Sequence, residues 1–253
     1  MHKMIDCENI ESAIRSVCDL FSCSAADLRL QLKQIEIDRI YREGGPDYPP
    51  DEFLYRELIS SFGKPVYPKS ICWFHLTRTY PGNDFNEGIL PLGMALESIW
   101  DMIFRAFELT EHYDRLLSMK TQGVGNELYQ LKVPDPFHWG PFAMLVKDVA
   151  FRAHRIGNHD YLKLPEIVED ICNCYLKKFG VSIHSDIEKA LVPCIIKFKA
   201  DTERDFGIRP AIYYVYKCIN EEPVSQGSNT CFDAKGKVIP LGDIIKIEYI
   251  EMP

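Results

Sequence analysis

The chain has 253 residues, 46% of them hydrophobic and 26% charged, a length that supports one large domain or one domain with an appendage. Its formal net charge of −8 at pH 7 argues against a surface whose task is to grip a phosphate backbone. No uninterrupted apolar run reaches the length of a membrane helix and the opening stretch MHKMIDCENIES has no apolar signal core. The expectation is a cytoplasmic chain with no membrane partner.

In chain order, Ile10, Ile14, Val17 and Phe21 recur at helical spacing and predict an amphipathic helix over 7–21. Ser24, with Asp27 three residues on, reads as the N-cap of a second helix carrying Leu28, Leu32 and Ile35 and ending near Gly44-Gly45. The turn-rich stretch GGPDYPP then marks the expected boundary, giving an N-terminal helical region over 1–48 and an α+β domain over 49–253. A short helix follows over 51–62. ICWFHLT, β-branched and aromatic between turn formers, reads as a buried strand closed by Pro81-Gly82-Asn83-Asp84.

Leu96, Ile99, Trp100, Ile103 and Phe107 form a helical stripe, and a further helix is expected over 111–119. ELYQLKV, 127–133, alternates like a half-buried strand. After PDPFHWGP, whose aromatics either make binding surface or fold inward as a lid, Phe142, Leu145, Val146 and Val149 predict a helix. Ile167 to Phe179 predict the next, between Pro165 and Gly180. VPCIIKFKA reads as a strand, 209–219 as a helix, Asp233 to Gly236 as a turn, and Ile245, Ile247 and Tyr249 as the closing strand. Strands separated by several helices without a regular βαβ rhythm imply an α+β fold: a mixed, mainly antiparallel sheet with surrounding helices.

The nine cysteines show no zinc-type spacing and are expected as reduced thiols. His154 and His159 straddle Gly157-Asn158, and Cys172 and Cys174 point to different sides of one predicted helix, so no metal is expected. Phosphate-binding glycine loops and a nucleophile elbow are missing, which disfavours ATP-dependent chemistry and serine hydrolysis.

The segment with most chemistry is WFHLTRTYPGNDFNEGILPL, Trp73 to Leu92. Alternation puts His75 and Thr77 on one strand face, and a polar pair there needs partners, supplied by the protein or by a ligand. This aromatic-His-x-Thr strand with a later Gly-Ile-Leu-Pro resembles the first motif of ADP-ribosyltransferase-fold proteins, a group that includes RNA 2′-phosphotransferases and bacterial ADP-ribosylating toxins. The resemblance covers residues 73–92. It implies NAD as the bound co-substrate, an oxocarbenium-like sugar intermediate and a macromolecular acceptor. It also implies that His75, with Thr77, orients the ribose. By the same resemblance Tyr129 would stack on the nicotinamide; if NAD binds there, Arg78 is expected to pair with a diphosphate oxygen, which its opposite strand parity allows only where the strand ends or bulges.

No flanking motif selects the family's late glutamate, for which Glu248 and Glu251 are the candidates. A second reading is therefore a non-catalytic binding module of the same fold, such as a toxin partner or a defence-associated sensor. The competing account of His75 itself is a core histidine satisfied by a backbone group. A third reading, a DNA-associated regulator led by the N-terminal helices, is disfavoured by their acidic balance. Those helices otherwise read as a cap packing on the main domain or on a second copy of the chain.

Overall fold

The computed structural model describes residues 3–203 and 205–251. The expected ranges 1–48 and 49–253 also touch residues 1, 2, 204, 252 and 253, which lie outside the described residues. The elements run β1 (Met4–Ile5), α1 (Ile10–Phe21), α2 (Ala25–Lys33), α3 (Ile37–Arg42), α4 (Pro50–Phe62), β2 (Ser70–Thr79), α5 (Leu92–Phe107), α6 (His112–Gln122) and α7 (Glu127–Lys132). They continue with β3 (Phe142–Met144), α8 (Ala153–Ile156), α9 (Glu166–Phe179), α10 (His184–Ala190), β4 (Val192–Asp201), α11 (Ile208–Ile219), β5 (Cys231–Asp233) and β6 (Ile244–Tyr249).

The fold is α+β, with a mainly antiparallel six-stranded sheet in the order β5-β3-β2-β4-β6 and helices around it. β1 lies off this path, pairing parallel to the start of β2 through Met4 with Ser70 and Ile5 with Ile71. β2 pairs antiparallel with β3 at Phe74 and Met144. The apolar run predicted as a strand is therefore central, as its density of β-branched and aromatic side chains requires: Ile71, Cys72, Trp73, Phe74 and Leu76 are all buried.

The chain divides into two compact units, one of Met1–Phe74, Met144–Gly157 and Phe198–Phe232, the other of His75–Ala143, Asn158–Lys197 and Asp233–Pro253. In the first, α11 packs against α1, α2 and α4. Ala13, Ile14, Val17, Leu28 and Leu32 of α1 and α2, and Leu54, Leu58, Ile212 and Val215 of α4 and α11, are all buried. Asn9 caps α1 and Ser24 caps α2, each side chain accepting from a backbone N–H three residues on. The single helix expected after Ser24 is two. The break at 34–36 is held by Tyr216, whose hydroxyl donates to the Ile35 carbonyl at 3.0 Å and accepts from the Ile37 N–H at 3.4 Å. A distant side chain thus satisfies backbone groups that a continuous helix would satisfy internally.

The second unit is built on Trp100, Ile103 and Phe107 of α5, Leu116 and Met119 of α6, and Ile167, Ile171 and Tyr175 of α9. Two predicted elements are corrected here. Residues 127–132 form helix α7 rather than a strand. Asn126 caps it by accepting from the Tyr129 N–H, and Tyr129 and Val133, four apart, pack on the core while Leu128 and Leu131 stay exposed. In so short a segment the two periods are nearly indistinguishable, and the cap decides. Conversely, 142–149 is not a helix but strand β3 followed by a 3-10 turn over Lys147–Phe151. Ala143, Met144, Leu145 and Val146 are all buried, so their continuous apolar run matches a strand covered on both faces.

Candidate functional site

Apart from Ser70 at its start, His75 and Thr77 are the half-buried members of β2, while their neighbours Leu76 and Arg78 are buried. The site begins at His75 Nδ1, which lies 2.8 Å from the carbonyl oxygen of Phe142 in β3. A carbonyl only accepts, so Nδ1 carries the hydrogen and Nε2 is left as an acceptor. Burial lowers the histidine pKa, outweighing the opposite effect of the Phe142 bond, and keeps the ring neutral at pH 7. Nε2 has no hydrogen-bond partner among the described residues. Beside it, the Thr77 hydroxyl makes one long contact, 3.5 Å, to the Arg78 carbonyl.

The chain after β2 is pinned in place. Asn83 donates to the Thr79 hydroxyl at 2.8 Å, and the Tyr249 hydroxyl of β6 donates to the Asn83 carbonyl at 2.5 Å. Ile89 exchanges both backbone hydrogen bonds with Ile239, at 2.9 and 3.0 Å. Gly88 adopts φ +82°, and a Cβ there would lie 2.2 Å from the Ile239 carbonyl oxygen, so only glycine fits the approach. Within PDPFHWGP, Trp139 is turned inward: its indole N–H donates to the Val133 carbonyl at 3.0 Å and its ring covers Gly93. Phe137 of the same loop is 78% exposed, so the two accounts of that loop each fit one aromatic.

Two of the expected site residues are engaged elsewhere. Arg78 occupies the opposite face of β2 and its terminal nitrogens donate to four carbonyls: Leu162 (2.6 Å), Lys163 (3.1 Å), Glu188 (2.6 Å) and Leu191 (2.8 Å). Only Nε is left unsatisfied. The guanidinium ties a loop to α10, and a diphosphate contact would have to break this arrangement. Tyr129 sits on α7, not on a second strand, and its hydroxyl accepts from the Trp100 indole N–H at 3.3 Å. The family's late glutamate finds no such clear position: Glu248 of β6 pairs with Lys246 at 2.7 Å, and Glu251 is exposed past the strand end.

An ionic cluster in the second unit centres on Lys132, whose Nζ lies 2.9 Å from both Glu166 and Asp170. Tyr161 donates to the other Glu166 oxygen at 2.7 Å. Among the described residues no group of three or more His, Cys, Asp or Glu is placed to hold a metal ion. Sequence reasoning missed Phe142 as the residue that orients His75, because 142–149 reads as a helix and a backbone acceptor leaves no residue-type signal. The chain matches no family model, no curated protein and no solved structure.

Proposed function

We propose that the chain binds NAD through the His75–Thr77 face of β2, as an ADP-ribosyltransferase-like protein. The observation that carries this reading is the state of His75: a neutral imidazole, oriented by the Phe142 carbonyl, with Nε2 left to accept from a ribose hydroxyl. Thr77, on the same face with its hydroxyl barely engaged, supplies a second polar contact. Transfer to a macromolecular acceptor additionally needs a carboxylate to stabilise a developing oxocarbenium ion. Glu248 is engaged by Lys246 at 2.7 Å, and this pairing favours a second reading, an NAD-binding module without transfer.

Calorimetric titration with NAD tests the reading. The wild type binds, and His75→Ala weakens binding by about 1–3 kcal/mol, the usual range for a lost buried hydrogen-bond partner. No binding at millimolar NAD, or unchanged binding in His75→Ala, overturns it. Nicotinamide release on incubation with NAD then separates transferase from binding module.

A further inference from the structure

A cavity of about 430 Å³ lies in the first unit. Arg152, Arg155 and Lys217 line it together with Ser225, Gln226 and an apolar wall that includes Val224. Three cations around one cavity run against the composition of a chain with a formal charge of −8. Two of the three have counter-ions: Arg152 meets Asp148 at 2.9 Å, and Lys217 meets Glu222 at 2.5 Å while lying over the Tyr213 ring. The side chain of Arg155 has no hydrogen-bond or ion-pair partner among the described residues. Counting these five groups, the cavity carries an excess of one positive charge, and that charge sits on the guanidinium, whose planar fork matches the oxygens of a phosphate.

We propose that this cavity binds a phosphate monoester of mononucleotide size, with the phosphate on Arg155 and the body of the ligand against the apolar wall. The volume falls within the range of small-molecule sites and exceeds what a free phosphate fills. A dianion is favoured over a single carboxylate because it satisfies Arg155 and also draws on Arg152 and Lys217, which can exchange carboxylate for phosphate oxygens. A polymeric nucleic acid is disfavoured by the overall charge. The inference does not rest on the role proposed for His75.

Titration calorimetry at low salt with AMP, adenosine and inorganic phosphate tests it. AMP binds at least tenfold more tightly than either of the other two. Arg155→Ala weakens AMP binding at least tenfold. Asp148→Asn, which frees Arg152 from its counter-ion, tightens AMP binding severalfold, an effect that mere loss of structure cannot produce. Adenosine binding as tightly as AMP, AMP binding indifferent to Arg155→Ala, or no AMP binding at millimolar concentration overturns the proposal.

Discussion

The imidazole of His75 is fixed by the main chain of Phe142, a residue 67 positions away, through a 2.8 Å contact at Nδ1. Burial holds its pKa below the ordinary histidine value, so the folded state disfavours its protonation. The sign follows from linkage: above the unfolded pKa, about 6.5, the ring is neutral in both states and no stability is lost. As pH falls below that value, the unfolded chain takes up the proton first and the folded state loses stability. Between pH 7.5 and 5.5 the melting temperature of the wild type is expected to fall more than that of His75→Gln, which cannot titrate. Parallel melting curves in the two proteins would show that His75 is not held neutral.

Arg78 is the second residue of the motif with a definite structural outcome. Its replacement by Ala leaves four carbonyls of 162–191 without their donor, two of them in buried bonds. A loss of about 3 kcal/mol or more is expected, since bonds from a charged donor are each worth about 1.5–3 kcal/mol. Arg78→Lys, with three donors on a single nitrogen, recovers only part of this. Denaturant unfolding reads the effect. A change below about 1 kcal/mol in Arg78→Ala would mean that the carbonyls find other partners.

The contrast between these residues shows what was legible beforehand. α9 carries its own evidence: Ile167, Ile171, Tyr175 and Phe179 at helical spacing, Pro165 at the start and Gly180 with φ +71° at the stop. The strand around His75 is equally plain, because a β-branched and aromatic run between turn formers has few alternatives. The partners of Arg78 lie 84 to 113 residues away and are backbone oxygens, which no local pattern announces. Short segments failed for a related reason. In 127–132 and 142–144 tertiary burial and one cap outweigh a period that a few residues cannot define.

The Gly-Ile-Leu-Pro segment depends on Gly88. A side chain at φ +82° with its Cβ 2.2 Å from the Ile239 oxygen must displace backbone, since the neighbouring atom is not a flexible tip. Gly88→Ala is expected to open the Ile89–Ile239 bridge and cost about 2 kcal/mol or more, combining left-handed strain with the lost pair of hydrogen bonds. Native-state hydrogen exchange at the Ile89 and Ile239 amides checks this directly. Unaltered protection at both would contradict the close approach.

Lys132 provides the most discriminating test of packing in the second unit. Its ammonium lies between Glu166 and Asp170, and Asp170 is 4% exposed, so removing the lysine leaves a carboxylate buried without its charge partner. Lys132→Met is expected to destabilise by about 3 kcal/mol, within the range for a broken buried pair. Adding Asp170→Leu removes the stranded charge, and the double variant is expected to recover most of that loss, because a well-packed apolar pair often replaces a buried ion pair at little net cost. Glu166, more exposed and still held by Tyr161, tolerates the exchange. Burial alone would raise the Glu166 pKa, but the bonds from Lys132 and Tyr161 together bring it below the ordinary carboxylate value. The stability it contributes is therefore present above the unfolded carboxylate pKa and lost as pH falls through its lowered folded value. In Lys132→Met that acid dependence weakens. Chemical denaturation of the two single variants and the double at pH 7 and pH 4 measures both effects. Strict additivity of the single losses would mean that Lys132 and Asp170 act independently despite their 2.9 Å separation.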